Sequence, residues 1–247
     1  EYLISKGADL LRTTASAFVA KPCEENEQGR STTTSLWMAA QNNRPRIVRA
    51  ILAAAAELFA QQGYDGTSIG AVAEAAKVQK SLVQYHFENK KSLWQESIRY
   101  IWQERDDALP RYLDENDSSV EPDELIWQLC RRVLRFTFDH PQWVKLMFQE
   151  ASTPGPRLDW MVAHFFRSDF QRGTAIIELG QQQGLLPKGN VIDLLHILSG
   201  ALIYLVNVAP ITERVLGVSP ESDEYIDHHV RSLMALLQTA TASATKP

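Results

Sequence analysis

Residues 58–93 read LFAQQGYDGTSIGAVAEAAKVQKSLVQYHFENKKSL, and this stretch predicts two short helices joined by a tight turn. Thr67 or Ser68 can cap the first helix, in which apolar residues recur at three- and four-residue spacing. After Lys77 a second short helix continues to Phe87, and its spacing leaves one row of side chains off the core face. That row consists of Gln79, Lys80, Ser81, Gln84 and Tyr85.

The chain before this stretch predicts a supporting helix. Apolar residues recur at helical spacing from Ile47 to Phe59, and Gly63 supplies a stop. Three helices of which the last two are short and closely joined satisfy the geometry of a helix-turn-helix, whose final helix enters the DNA major groove. Many tri-helical domains share this outline, so the outline alone does not decide function.

Charge is unevenly distributed along the chain. The whole sequence has 25 Lys and Arg against 30 Asp and Glu, a net charge of -5. Residues 38–92 contain seven Lys and Arg but only four Asp and Glu, so this part is locally basic. A basic module on an acidic body is typical of a DNA-binding domain attached to a domain that does not bind DNA.

The sequence of residues 58–93 resembles that of the TetR family of bacterial regulators. The matching positions are Phe59, Gly63, Tyr64, Thr67, Ile69, Ala73, Ala76, Val78, Tyr85, His86, Phe87, Lys90 and Leu93. The resemblance implies a homodimer whose last two helices form a four-helix interface, and a repressor released from a palindromic operator by a small-molecule effector. Two positions depart: Lys77 stands where the family usually has a glycine with positive φ, and Gln84 replaces a frequent aromatic residue.

Candidate DNA contacts follow from side-chain chemistry. Gln79 and Lys80 are best placed for base edges, because an amide pairs with adenine and a lysine with guanine. Ser81, Gln84 and Tyr85 could contact a base or a phosphate. The phosphate candidates share a positive charge or a place at a helix N-terminus, and they are Arg44, Arg46, Thr67, Ser68 and Lys90.

Structural interpretations of the same residues remain open. Thr67 could only cap its helix, and Lys90 could only be solvated. Tyr85 and His86, the latter also a candidate DNA contact, could pack against the first helix and the linker helix.

The rest of the chain also predicts helices. A linker helix is predicted beyond Asn89, with apolar residues from Leu93 to Leu109, and is broken by residues 114–122. Further helices are predicted near 122–139, 142–151, 157–183, 190–209 and 223–240. We therefore expect an all-α protein with an N-terminal tri-helical helix-turn-helix domain and a C-terminal helical effector-binding and dimerisation domain.

The predicted domain limits are 44–92 for the DNA-binding domain and 93–247 for the effector domain. Residues 1–43 are polar and predict a disordered extension with a short basic arm, in which Met38 is the expected true start.

Aromatic and sulfur side chains are dense in the predicted effector domain, where a pocket needs a few convergent polar groups. The candidate effector-binding residues are Trp127, Met147, Gln149, Trp160, His164, His196, Tyr204 and Asn207. Each of them could equally be a satisfied buried side chain. His196 is expected to be a buried imidazole beside Asp193, where it needs a partner.

Residues 191–209 are apolar enough to raise the question of a membrane span, but four polar residues interrupt them, so no membrane partner is expected. We expect a helix buried on most sides, partly against a partner subunit. This helix and the last helix each carry an apolar stripe that could form a dimer interface or close the monomer core. The stripes are Leu194, Leu198, Ala201, Leu202 and Leu205 in this helix, and Ile226, Val230, Leu233, Met234 and Leu237 in the last one.

Other classes of protein find little support. Two cysteines, Cys23 and Cys130, imply no disulfide framework and suit a reducing cytoplasm, and no secretory signal is recognisable. No catalytic motif is present, so no catalytic residue, cofactor or metal is expected, although Asp227, His228 and His229 could bind a metal. A helical enzyme is disfavoured, and an architectural DNA-binding protein without an effector remains the alternative.

Overall fold

The computed structural model describes residues 45–113 and 122–244, and every regular element within these ranges is helical. This confirms the all-α prediction. The predicted extension, with Met38 and Arg44, and most of the predicted break at 114–122 lie outside the described residues.

The first four helices contain residues 58–93, from which the helix-turn-helix was predicted. Helix α1 spans Pro45–Gly66, α2 spans Ile69–Ala75, α3 spans Lys80–His86 and α4 spans Lys90–Leu113. Helix α1 contains a kink, because Gly63 adopts a φ of 72° that glycine tolerates without steric cost. At Gly63, where the helix was predicted to stop, the chain therefore bends sharply. A short helical stretch that ends at Gly66 follows the bend and precedes α2.

The remaining helices begin close to the predicted positions, and all but one of them end close to those positions. They are α5 (Pro122–Asp139), α6 (Gln142–Ala151), α7 (Pro156–Met161), α8 (Arg167–Gln182), α9 (Val191–Ser199), α10 (Leu205–Leu216) and α11 (Asp223–Ala244). Short π-helical segments at Val162–Phe166 and Gly200–Tyr204 join α7 to α8 and α9 to α10.

The end predicted at residue 209 is wrong. Helix α10 continues through Pro210 to Leu216, and Gly217, with a φ of 68°, ends it by donating its N–H to the Glu213 carbonyl. A proline removes one intrahelical hydrogen bond and crowds the carbonyl four residues earlier, which can kink a helix without ending it, whereas a left-handed glycine turns the chain away and satisfies a terminal carbonyl.

The helices group into two compact units. The head unit consists of residues 45–105 and Gln142–Leu158, and the body unit of the described residues in Asp106–Pro141 and Asp159–Pro247. In the head unit α6 packs along α1, where the Gln149 amide donates to the Ala60 carbonyl at 2.9 Å and the Gln142 amide to Glu57 at 3.0 Å. The head unit thus extends beyond residue 92, and the functional boundary there stays a prediction.

The core of the body unit is formed by α5, α8, α10, α11 and the π-helical segment at Gly200–Tyr204, and half-buried residues of α9 pack against it. Its buried members include Leu134, Leu202, Leu205, Ile226 and Val230. The predicted stripes of α9–α10 and α11 therefore close the monomer core, which was the second of the two alternatives. Ion pairs from Arg131 to Asp227, at 2.6 Å, and to Asp223, at 3.1 Å, tie α5 to α11.

The run Val191–Leu216 is long and apolar enough to cross a membrane by length and composition alone, with a mean hydropathy of 1.9. Only 17% of its most apolar window is buried. In the single chain the core takes one face only, so the expected burial on most sides, partly against a partner subunit, stays a prediction. The opposite face carries exposed Ile197, Tyr204 and Ile211.

Candidate nucleic-acid interface

The turn between α2 and α3 is built by backbone hydrogen bonds. Ser68 caps α2 by accepting the N–H of Ala71 at 3.0 Å. At the other end Lys77 donates its N–H to the Glu74 carbonyl and Val78 donates to the Ala73 carbonyl, which is the Schellman pattern. Lys77 has a φ of 56°, so the positive φ expected at this position is confirmed.

Helix α3 presents the predicted row of polar side chains to solvent. Val83 and Phe87 are buried and fix the inner face of this helix. Gln79, Lys80, Ser81, Gln84 and Tyr85 are all exposed, as the spacing predicted. The buried inner face holds α3 in place, so the exposed row of side chains can contact an extended ligand such as a DNA groove.

The aromatic pair that follows divides between solvent and core. Tyr85 is 80% exposed, whereas His86 is half-buried with its ring 5.2 Å from that of Tyr85 and 6.3 Å from that of Phe87. Tyr85 is thus available to a phosphate or base. The ring of His86 lies near those of its two neighbours in the chain, and the choice between a DNA contact and packing against the first and linker helices stays open.

Of the candidates at the start of α2, one faces inward. Ser68 is exposed, but Thr67 is 2% exposed and its hydroxyl donates to the Gly63 carbonyl at 2.9 Å. We therefore correct the expectation that the Thr67 hydroxyl contacts a phosphate, because the kink at Gly63 turns that carbonyl towards it. Arg46 is exposed near the start of α1.

Lys90, expected to be either a phosphate contact or a solvated side chain, is engaged within the protein. Its ammonium donates to the Asp65 carbonyl at 3.2 Å and lies 4.6 Å from the centroid of the Tyr64 ring. Both contacts lie next to the turn that precedes α2. Lys90 therefore carries its charge to the edge of the candidate interface while it holds that turn.

The predicted effector residues are divided between the two units. Met147 and Gln149 belong to the head unit, and the other six belong to the body unit. The Gln149 amide is already used to hold Ala60. Gln149 therefore has a structural role within the head unit, since α6 packs on α1, and the effector role of Met147 stays a prediction.

Most of the body-unit candidates are also exposed. His164, His196, Tyr204 and Asn207 face solvent, and the His164 imidazole donates to the Trp160 carbonyl at 2.7 Å. The expectation of a buried His196 is wrong, because α9 turns its other face to the core. Trp127 and Trp160 are half-buried and remain candidates for lining a pocket.

The described residues contain no group of three or more His, Cys, Asp or Glu side chains placed to bind a metal. Asp227 pairs with Arg131, and the His229 imidazole donates to the Ala201 carbonyl at 2.8 Å. Burial raises the pKa of the Cys130 thiol to about 12, so this thiol is neutral at physiological pH.

Two features were missed by sequence reasoning. The first is a cluster around Tyr64 that includes Arg157 and Glu150, which are distant from Tyr64 in the chain and gave no local signal. The second is the exposed stripe formed by Ile197, Tyr204 and Ile211. Their seven-residue spacing could have identified this stripe.

Comparison with known proteins gives one family-model match, "Bacterial regulatory proteins, tetR family", over residues 51–96. The negative transcriptional regulator IcaR of the biofilm operon icaADBC from Staphylococcus aureus strain Newman is 28% identical over 98 residues. Its counterpart in Staphylococcus epidermidis is 30% identical over 98 residues, which are 39% of this chain and 49% of that protein. This chain spans about half the length of these curated relatives.

Solved structures share the fold. A putative fatty acid metabolism regulator of Clostridium perfringens is 18% identical with a TM-score of 0.59, covering 77% of this chain and 97% of that one. AibR in complex with isovaleryl coenzyme A and operator DNA is 18% identical with a TM-score of 0.58 and the same two coverages.

Proposed function

We infer, from the membership of this chain in the TetR family of bacterial regulators through residues 51–96, that it is a DNA-binding transcriptional repressor controlled by a small molecule. The observation that carries the proposal is the exposed row of α3, where Gln79, Lys80 and Tyr85 project from a helix anchored by buried Val83. A helix presented in this way fits the major groove. The protein is a transcription factor and not an enzyme.

DNA contacts divide by chemistry. Gln79 and Lys80, at the N-terminal end of α3, read base edges, and Ser81, Gln84 and Tyr85 contact bases or the neighbouring backbone. Arg46 and the exposed Ser68 contact phosphates. Arg44 and Lys90 add positive charge. The local excess of basic residues in 38–92 supports this arrangement, since phosphate contacts supply most sequence-independent affinity.

Repression and effector control are supported by the relatives. IcaR is a negative transcriptional regulator by name, and AibR binds isovaleryl coenzyme A and operator DNA. The effector of this chain binds in the body unit, and the candidates are half-buried Trp127, which packs against the body core, and half-buried Trp160. A bacterial DNA-binding regulator works on the chromosome, so the proposal implies the cytoplasm.

The chain acts as a homodimer through the exposed face of α9 and α10. Ile197, Tyr204 and Ile211 recur every seven residues on that face, with Gly200 and Asn207 between them. This a and d spacing is what helix pairing requires, and Gly200 has no heavy atom within 4 Å of where a Cβ would stand, which leaves room for close approach. His196, Tyr204 and Asn207 thus serve the partner subunit and not the effector.

A selection of bound duplexes from a random DNA pool tests the proposal. The expected result is enrichment of one inverted repeat, because a two-fold symmetric dimer reads two copies of a half-site. Enrichment of no sequence, with uniform binding to many duplexes, would support an architectural protein and contradict a sequence-specific repressor.

A further inference from the structure

Tyr64 lies at the centre of a cluster that joins three distant parts of the head unit. The guanidinium carbon of Arg157 is 4.5 Å from its ring centroid, and the Lys90 ammonium is 4.6 Å from it. The ring also stacks on Phe59 at 6.0 Å and meets Trp94 edge-on at 6.1 Å. Aromatic faces attract cations, so the two charged side chains add specific contacts to an apolar base.

The ring belongs to the turn that sets the position of the DNA-reading helices. Tyr64 directly follows the kink at Gly63, and Lys90 holds the next carbonyl, that of Asp65. Helix α2 begins only a few residues later, at Ile69, and the Schellman turn fixes α3 to α2. A shift of the Tyr64 ring therefore shifts both short helices.

Arg157 is itself held by a buried carboxylate. Its Nε donates to both oxygens of Glu150, at 3.0 and 2.9 Å, and Glu150 is only 3% exposed. Arg157 is the second residue of α7, whose later residues belong to the body unit by chain connectivity. The side chain thus connects the first turn of α7 to the turn before α2.

We propose that Arg157 is a positioning residue which couples the placement of the first turn of α7 to that of α2 and α3, and so controls DNA binding. The proposal rests on the proposed function and adds a route for its regulation. An effector that moves α7 would withdraw the cation from the ring and release the turn at Gly63. Arg157 acts through Tyr64 and not through contact with DNA.

The first experiment compares Arg157→Gln with the wild-type chain on the selected duplex at several salt concentrations. We expect affinity to fall by about fivefold or more, the range found for coupling between sites. The slope of log affinity against log salt should stay unchanged, since a lost phosphate contact would lower it by about 0.9. The matched control is Arg167→Gln, which makes the same change at an exposed position and should bind as the wild type does.

Removal of Arg157 alone leaves the buried Glu150 carboxylate without its partner and can unfold the chain. The double variant Glu150→Gln with Arg157→Gln removes both charges, and it should fold yet lose affinity to the same extent. Arg157→Lys should restore only part of the affinity, because an ammonium lacks the planar guanidinium. Wild-type affinity in the folded double variant would contradict the proposal.

Amide hydrogen exchange tests the same coupling between Arg157 and the two short helices in the absence of DNA. In the double variant we expect faster exchange in α2 and α3, while α5 and α11 of the body unit exchange as in the wild type. Unchanged protection of α2 and α3 would refute the role of Arg157. A wild-type chain that binds no duplex would instead refute the proposed function, so the two failures are distinguishable.

Discussion

The Thr67 hydroxyl donates a hydrogen bond to the carbonyl oxygen of Gly63, across the kink that ends the straight part of α1. This bond satisfies a carbonyl that the kink has removed from the helical pattern. It also places a buried polar side chain immediately before the cap of α2. The inward orientation of Thr67 therefore serves the fold of the helix-turn-helix.

Replacement of Thr67 by Val should destabilise the protein without changing its affinity for DNA. Valine keeps the shape but leaves the Gly63 carbonyl unpaired, which costs about 1 to 2 kcal/mol. Urea denaturation measures the loss of stability, and Thr67→Ser, which keeps the hydroxyl, is the control. Weaker DNA binding at unchanged stability would restore Thr67 as a phosphate contact.

Replacement of Lys77 by Gly should stabilise the protein. Lys77 has a φ of 56°, where a side chain costs about 1 kcal/mol relative to glycine, although the greater freedom of glycine in the unfolded chain reduces the gain. We expect the free energy of unfolding to rise by about 0.5 kcal/mol, measured by urea denaturation. Lys77→Ala removes the same charge but keeps the strain, so an equal gain in that variant would contradict the explanation.

These two positions show how far local sequence predicts the structure. Apolar spacing and turn residues were enough for most of the helix bounds and for the exposed row of α3, because these depend on neighbours in the chain. The positive φ at Lys77 was expected from the resemblance to the TetR family. The inward turn of Thr67 depends on the exact bend at Gly63, which spacing does not reveal.

Two of the effector candidates, Gln149 and His196, lie elsewhere than expected for a different physical reason. Gln149 bonds to Ala60, which lies 89 positions earlier in the chain, so its role depends on tertiary packing. Helix α9 is apolar on several sides, and the choice of the face that enters the core decides whether His196 is buried. The residue spacing within a single helix predicts neither the tertiary contact of Gln149 nor the face of α9 that enters the core.

Replacement of Lys80 by Ala should weaken binding to the selected duplex. If Lys80 reads a guanine edge, its loss costs about 1 to 3 kcal/mol and relaxes the preference at one position of each half-site. Binding titrations against the duplex and its single-base variants measure both effects. The control is Lys145→Ala, a change of the same charge on α6. Unchanged affinity and preference would remove Lys80 from the interface.

Replacement of Glu96 by Gln should stabilise the protein at neutral pH. Burial raises the pKa of Glu96 above its ordinary value of 4.5, an effect that the nearby Arg99 opposes. Between 4.5 and the raised pKa the folded state binds more protons than the unfolded state, so stability falls as the pH rises. The neutral amide avoids this loss.

The gain from Glu96→Gln should therefore be present at pH 7 and fade as the pH falls towards 4.5. Denaturation of both proteins across this range measures the difference. Glu104→Gln is the control, since this exposed carboxylate lies on the same helix. A gain that stays constant with pH would show that the burial of the charged form is not its cause.

Replacement of Ile211 by Glu should separate the proposed dimer into monomers. Ile211 is 63% exposed in the single chain and lies seven residues after Tyr204 on the stripe. A carboxylate enclosed between two such faces loses its hydration, and Arg214, three residues later, already donates to the Pro210 carbonyl. A buried charge that is not fully paired costs several kcal/mol. Light scattering at micromolar concentration should show half the wild-type mass.

Ile192→Glu is the matched control, because Ile192 is 54% exposed but lies outside the seven-residue spacing of the stripe. This variant should remain a dimer and keep its affinity for the inverted repeat. The Ile211→Glu monomer should bind that repeat more weakly, since each half-site is then held by one head unit alone. A monomeric wild type would contradict the proposed dimer itself, whereas a dimeric Ile211→Glu variant would show that the interface lies on another face of the body unit.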